Sequence, residues 1–146
     1  MPPTTLRIII GIILIAHGLV HFSLTTVPVP ATGQLRTPFW PSWWRKDVDP
    51  QWLSSKMGLA PDAVRAVGSL LWVLTVIGFG IAGLALIFFP AQAAVWQAAA
   101  ILGASASLLL LVFYWHPWLP AGVLIDLAVI ASLALHWPPA LYNLAN

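Results

Sequence analysis

The sequence predicts an all-α fold: a transmembrane four-helix bundle with a long Trp/Pro-rich loop between helices one and two. Three observations carry this expectation. First, 60% of the 146 residues are hydrophobic and only 7% are charged. A soluble domain carries roughly a quarter charged residues, so this chain has too few to cover a water-facing surface. Second, there are thirteen prolines, and none interrupts a long apolar run. They fence four proline-free windows, 4–27, 62–89, 91–116 and 121–137. Third, each window can hold the roughly 17–25 residues that a span needs. Proline breaks a helix interior but suits the first turn and the loops. The windows therefore read as helices over about 6–24, 62–89, 92–115 and 120–137. Residues 1–146 form a single integral membrane domain, and any chemistry has to sit in its spans or loops.

Helix one follows Arg7 with the apolar run "IIIGIILIA". A signal peptide begins in the same way. Here the apolar stretch continues through His17 to Leu24 with no prompt small-x-small site, so it reads as a retained span. The loop 25–61 contains "TPFWPSWWRKDVDPQWLSSKMGLAP". Trp40, Trp43, Trp44 and Trp52 suit the headgroup region, where an apolar ring with one N–H donor is at home. Asp49-Pro50 has the N-cap and N1 chemistry of a helix start. A short interfacial or lid helix is expected at 50–57, with Gly58 ending it. Phe89-Pro90-Ala91 and "WHPWLP" are short turns, which make helices two, three and four sequential antiparallel neighbours.

Four spans place the long loop and the third turn on one face and both termini on the other. The loop face carries Arg36, Arg45, Lys46, Lys56 and Arg65, against Arg7 on the opposite face. The positive-inside rule then puts the loop in the cytoplasm of a bacterial cell and both termini outside the inner membrane. Helix association in lipid depends on close approach through small residues. Helix three has Ala99, Gly103 and Ser107 at spacing four. Helix two offers Gly68, Gly78, Gly80, Ala82 and Gly83, and helix one Gly11 and Gly18. These stripes predict a tight bundle with helix three at its centre; one of them could instead be the seam of a homo-oligomer.

The absence of cysteine removes disulfides, thiolate metal sites and iron–sulfur clusters. No phosphate loop or nucleophile elbow is present, and no catalytic residue is assigned. The net charge of +2 rests on few groups and reads as a topology signal, so the expected partner is the lipid bilayer and not nucleic acid. Few groups at membrane depth can ionise. His17 and His21 lie in helix one, Asp126 in helix four, and His116 and His136 near helix ends. His17 lies before the end of helix one by about as much as Asp126 lies after the start of helix four. At about 1.5 Å per residue, both sit roughly 10 Å in from the long-loop face. His21 is one turn nearer that surface, where His116 and Arg65 also lie. His136 belongs to the other side.

The candidate cluster is therefore His17, His21, His116, Asp126 and Arg65, walled by Trp115, Trp118 and Trp72. Convergence needs helix one to lie beside helix four. Several readings stay open. Asp126 and His17 form an internal pair that fixes helix register. Alternatively, His17, His21, His116 and Asp126 bind a divalent metal, since histidines at i and i+4 share a helix face. A bis-histidine haem needs His116 or another chain opposite His17 or His21. A quinone or lipid headgroup can be held by His and Asp between tryptophan walls. Finally, Asp126 can serve as the switching carboxylate of a proton-coupled carrier.

"LRIIIGIILIAHGLVHF", with "VGSLLWVLTVIGFGIAGLAL" and "FYWHPWLPAGVLIDLAVIASLAL", resembles small bacterial four-span membrane proteins of the DoxX-like kind. The likeness spans most of the chain. It implies a quinone-linked or accessory role in a respiratory chain, beside a larger membrane complex. The resulting expectation is a non-catalytic accessory subunit or a quinone- or lipid-binding protein. A metal- or haem-binding redox protein and a small carrier are the alternatives.

Overall fold

A computed structural model describes residues 2–25, 57–114 and 120–142. The described residues form four α-helices and no strand. These are α1 (Pro3–Thr25), α2 (Pro61–Phe88), α3 (Ala93–Phe113) and α4 (Pro120–Leu135), followed by a 3-10 turn at Pro139–Leu141. Residues 50–56 of the expected helix at 50–57, with most of the tryptophan-rich loop, lie outside the described residues; Met57 is helical.

Prolines set the starts. α1, α2 and α4 each begin on one, where the missing N–H would have had no helical partner and the fixed φ is already helical. Pro3 therefore opens α1 ahead of the expected start at 6. The stops come from backbone geometry. Leu135 is followed by His136 at φ 49°. The Trp137 amide reaches back to the Ser132 carbonyl at 3.0 Å and the His136 amide to Leu133 at 3.4 Å. That double return is a Schellman stop, and Pro138 prevents the helix from resuming. α4 accordingly ends before the expected 137. α3 ends at Phe113 rather than 115, with the Tyr114 amide bonded to Leu110 at 2.9 Å.

Three helices are long and apolar enough to cross a membrane: Pro3–His21 within α1, Ala66–Phe88 within α2, and all of α3. α4 is equally apolar but has 16 residues, about 24 Å of helix against a hydrocarbon core of about 30 Å. A helix of that length crosses only with local thinning or help from flanking residues. Large apolar side chains face outward on every helix, among them Ile12, Leu19, Leu70, Leu84, Ile101 and Leu124. A water-soluble monomer rarely exposes so much contiguous apolar surface. Lipid tails accommodate it without cost.

The helices pack in chain order. α2 meets α3 most extensively, α1 meets α2, and α3 meets α4. One expectation changes here: the centre belongs to α2 and α3 jointly, not to helix three alone. α1 and α4 meet, through His17 and Asp126, but are not among the extensively packed pairs. The 3-10 turn brings the chain back against α1 instead. There Leu141 is buried, and Tyr142 packs beside Trp96 with ring centroids 5.6 Å apart.

Two glycine contacts explain the close crossings. A Cβ at Gly78 would lie 2.6 Å from the Gly103 amide nitrogen, and one at Gly83 would lie 2.5 Å from the Gly11 carbonyl oxygen. Backbone thus rests on backbone at both the α2–α3 and α1–α2 crossings, as small residues permit. Around them Leu14, Phe79, Ala82, Leu86, Trp96, Ala100, Ala104 and Leu133 form the main core. Leu71, Ala106, Leu110 and Tyr114 form a second core nearer the start of α2.

Candidate functional site

The buried positions of α1 among its described side chains are Gly11, Leu14, His17, Gly18 and His21. Their spacing of three and four defines one helix face, and that face packs on α2. The two histidines therefore point into protein rather than lipid. Asp126 is one of only two buried residues on α4 and is 0% exposed.

His17 Nε2 lies 3.0 Å from Asp126 Oδ1. The bond ties α1 to α4 where the two helices otherwise share little packing. The His17 ring stands edge-on to Phe79 at a centroid distance of 4.8 Å and to His21 at 5.0 Å, and the pair is buried. A charge here would be expensive unless paired.

His21 has both ring nitrogens engaged. Nδ1 is 3.0 Å from the His17 carbonyl oxygen, which can only accept, so Nδ1 carries a hydrogen. In the neutral ring Nε2 is then an acceptor, and the Ser107 hydroxyl, 3.0 Å away, donates to it. Trp72 Nε1 donates to the His21 carbonyl at 2.7 Å. A turn along α2, Thr75 donates to the Leu71 carbonyl at 2.8 Å. One polar layer thus links α4 to α1 through Asp126–His17, α1 to α3 through His21–Ser107, and α1 to α2 through Trp72. Within it, one buried oxygen has no partner among the described residues: Asp126 Oδ2.

Of the residues singled out in the sequence, the structure brings together His17, His21, Asp126 and Trp72. Arg65 belongs to α2, but its side chain is outside what is described, as are His116, Trp115 and Trp118. His136 is exposed at the end of α4, with its ring 5.1 Å from that of Tyr142. The proposed metal set is not assembled among the described residues, where no group of three or more His, Cys, Asp or Glu is placed to hold an ion. Ser107 and Phe79 are neighbours of the two histidines that the sequence reading did not place in the cluster. Ser107 carried a usable signal, as the one polar member of the Ala99–Gly103–Ser107 stripe.

Ser107→Ala removes the only described donor to His21 Nε2 and leaves a buried acceptor unpaired. A loss of about 1 kcal/mol is expected, read as a lower thermal midpoint of the detergent-solubilised protein. An unchanged midpoint would mean that the Ser107–His21 bond contributes nothing net.

The chain matches no protein-family model, no curated protein and no solved structure.

Proposed function

We propose that the protein crosses the bacterial inner membrane four times, with loop 25–61 in the cytoplasm, and binds a lipid-soluble quinone-class ligand at the level of His17 and Asp126. Its role is non-catalytic, as an accessory subunit of a larger membrane complex. The observation that carries this reading is Asp126 itself. It is a fully buried carboxyl group with one oxygen held by His17 and the other without a partner among the described residues. A buried polar atom without a partner costs free energy, and a ligand group bonded to it recovers that cost. The site lies between α1 and α4, the helices with little mutual packing to lose. The resemblance to DoxX-like proteins favours the same ligand class. A second reading draws on the satisfied partners of His21, namely that the layer is purely an internal staple between helices.

A binding titration separates the two. The protein in lipid nanodiscs is titrated with a decyl-benzoquinone, and its tryptophan fluorescence is followed. Saturable quenching at one site per chain is expected, falling to the level of simple lipid partition in Asp126→Leu. Non-saturable quenching of equal size in both proteins would overturn the quinone reading and leave the staple.

A further inference from the structure

We infer that the end of the bundle built from the start of α1, the start of α3 and the 3-10 turn binds one anionic phospholipid, with Arg7 on its phosphate and Trp96 on an ester carbonyl beneath it. This site shares no residue with the layer around His17 and Asp126.

Two buried nitrogens at this end have no partner among the described residues: Arg7 Nε and Trp96 Nε1. Both are fixed donors. A guanidinium keeps its proton at any pH a protein meets, and an indole N–H has no accepting form. Each therefore lacks an acceptor, whatever the protonation of the groups around it. Trp96 is 3% exposed, whereas Arg7 is half-buried and open to lipid along part of its length. The two belong to one region of the fold. A Cβ at Gly11 would lie 2.5 Å from Ile87 Cγ1, so the start of α1 lies beside the end of α2, where α3 begins. Arg7, Ile10 and Leu14 follow at spacings of three and four along one face of α1. Leu14 belongs to the core cluster that holds Trp96, and Ile10 and Tyr142 pack against that cluster. Arg7 is thus one turn outward from residues that share a cluster with Trp96, about 6 Å along the helix from Pro3.

No aspartate is available to Arg7 here. Asp47 and Asp49 lie in the sequence between α1 and α2, Asp62 is in the first turn of α2 at the opposite end, and Asp126 is held by His17. An unpaired cation at membrane depth is costly, and a guanidinium fits a phosphate with two parallel N–H donors. A phospholipid carries that phosphate with its ester carbonyls on the acyl side, so an acceptor for the indole follows one step deeper. Its acyl chains then run along outward residues of α1 such as Ile9, Ile12 and Ile13. Because Arg7 has no carboxylate, a net anionic headgroup is favoured over one whose own ammonium neutralises its phosphate.

The experiment is lipid retention in native mass spectrometry. The whole chain is released from micelles equilibrated with equal amounts of phosphatidylglycerol and phosphatidylcholine of the same acyl chains. Wild type is expected to keep one phosphatidylglycerol per chain at about ten times the level of phosphatidylcholine, as a charge-assisted bond implies. Arg7→Gln is expected to bring that ratio to about one. Trp96→Phe, which keeps a ring and loses the donor, is expected to lower retention of both lipids about fivefold and to leave the ratio unchanged. Equal retention of the two lipids by wild type would overturn the inference whether or not the variants fold. A wild-type ratio preserved in Arg7→Gln, or full retention in Trp96→Phe, would also overturn the two-donor site. Inorganic phosphate in millimolar excess is expected to leave the lipid in place, since it has no acyl chains to bury. Displacement by it would assign the site to a free anion and overturn the phospholipid.

Discussion

Gly78→Leu is expected to abolish the folded state, and Gly78→Ala alone to lower stability by about 1–3 kcal/mol. The first added carbon at position 78 would lie 2.6 Å from the Gly103 nitrogen, 2.7 Å from its Cα and 3.0 Å from the Ala99 carbonyl oxygen. All three atoms are backbone, so no side chain can rotate away to make room. α2 would have to move off α3 as a body. This is the most extensive helix pair in the molecule, and separating it also loosens Phe79, which is 0% exposed and rests against the His17 ring. Gly80→Ala is the matched control on the same helix. Nothing lies within 4 Å of a Cβ there, so its stability should stay within about 0.5 kcal/mol of wild type. Denaturant or thermal unfolding in detergent reads both. Equal stability of Gly78→Ala and wild type would show that the α2–α3 crossing is looser than the structure has it.

The second large effect is expected at the buried pair. Asp126→Leu leaves the His17 imidazole facing carbon, and His17→Leu leaves a buried carboxyl with neither oxygen paired. Removing one member of a buried pair costs more than removing both, because the survivor keeps its desolvation penalty. Each single variant should therefore be less stable than the double variant, with a coupling of about 1–3 kcal/mol. Membrane-embedded hydrogen bonds average nearer 0.6 kcal/mol, since an unfolded chain in lipid also finds partners. The larger figure is expected here because His17–Asp126 joins two helices that share little other packing. Strict additivity across the cycle would show that the pair carries no stability of its own.

How much of this was legible in the sequence can be judged residue by residue. The helix positions were readable because proline acts locally: it opens α1, α2 and α4 and cannot sit inside them. The inward direction of His17 and His21 was also readable, since a spacing of four puts both on one face and lipid repels polar groups. Ser107 as the partner of His21 was not. A spacing pattern shows that Ala99, Gly103 and Ser107 share a stripe, but not which part of it meets α1. The end of α4 at Leu135 was missed because His136, a residue with a Cβ, takes the left-handed conformation that glycine usually supplies.

The sequence by itself determined that the chain is helical and apolar enough for lipid, and it restricted the polar chemistry to a few histidines and one aspartate. Those properties follow from composition and from interactions within a turn or two of helix. Only the tertiary structure decided that α2 and α3 share the centre, that His17 meets Asp126 while His21 turns to Ser107, and that one carboxyl oxygen of Asp126 is left without a partner among the described residues. Each of these depends on the rotation and separation of helices far apart in the chain. Backbone contacts such as Gly78 on Gly103 set that geometry, and no local pattern encodes it.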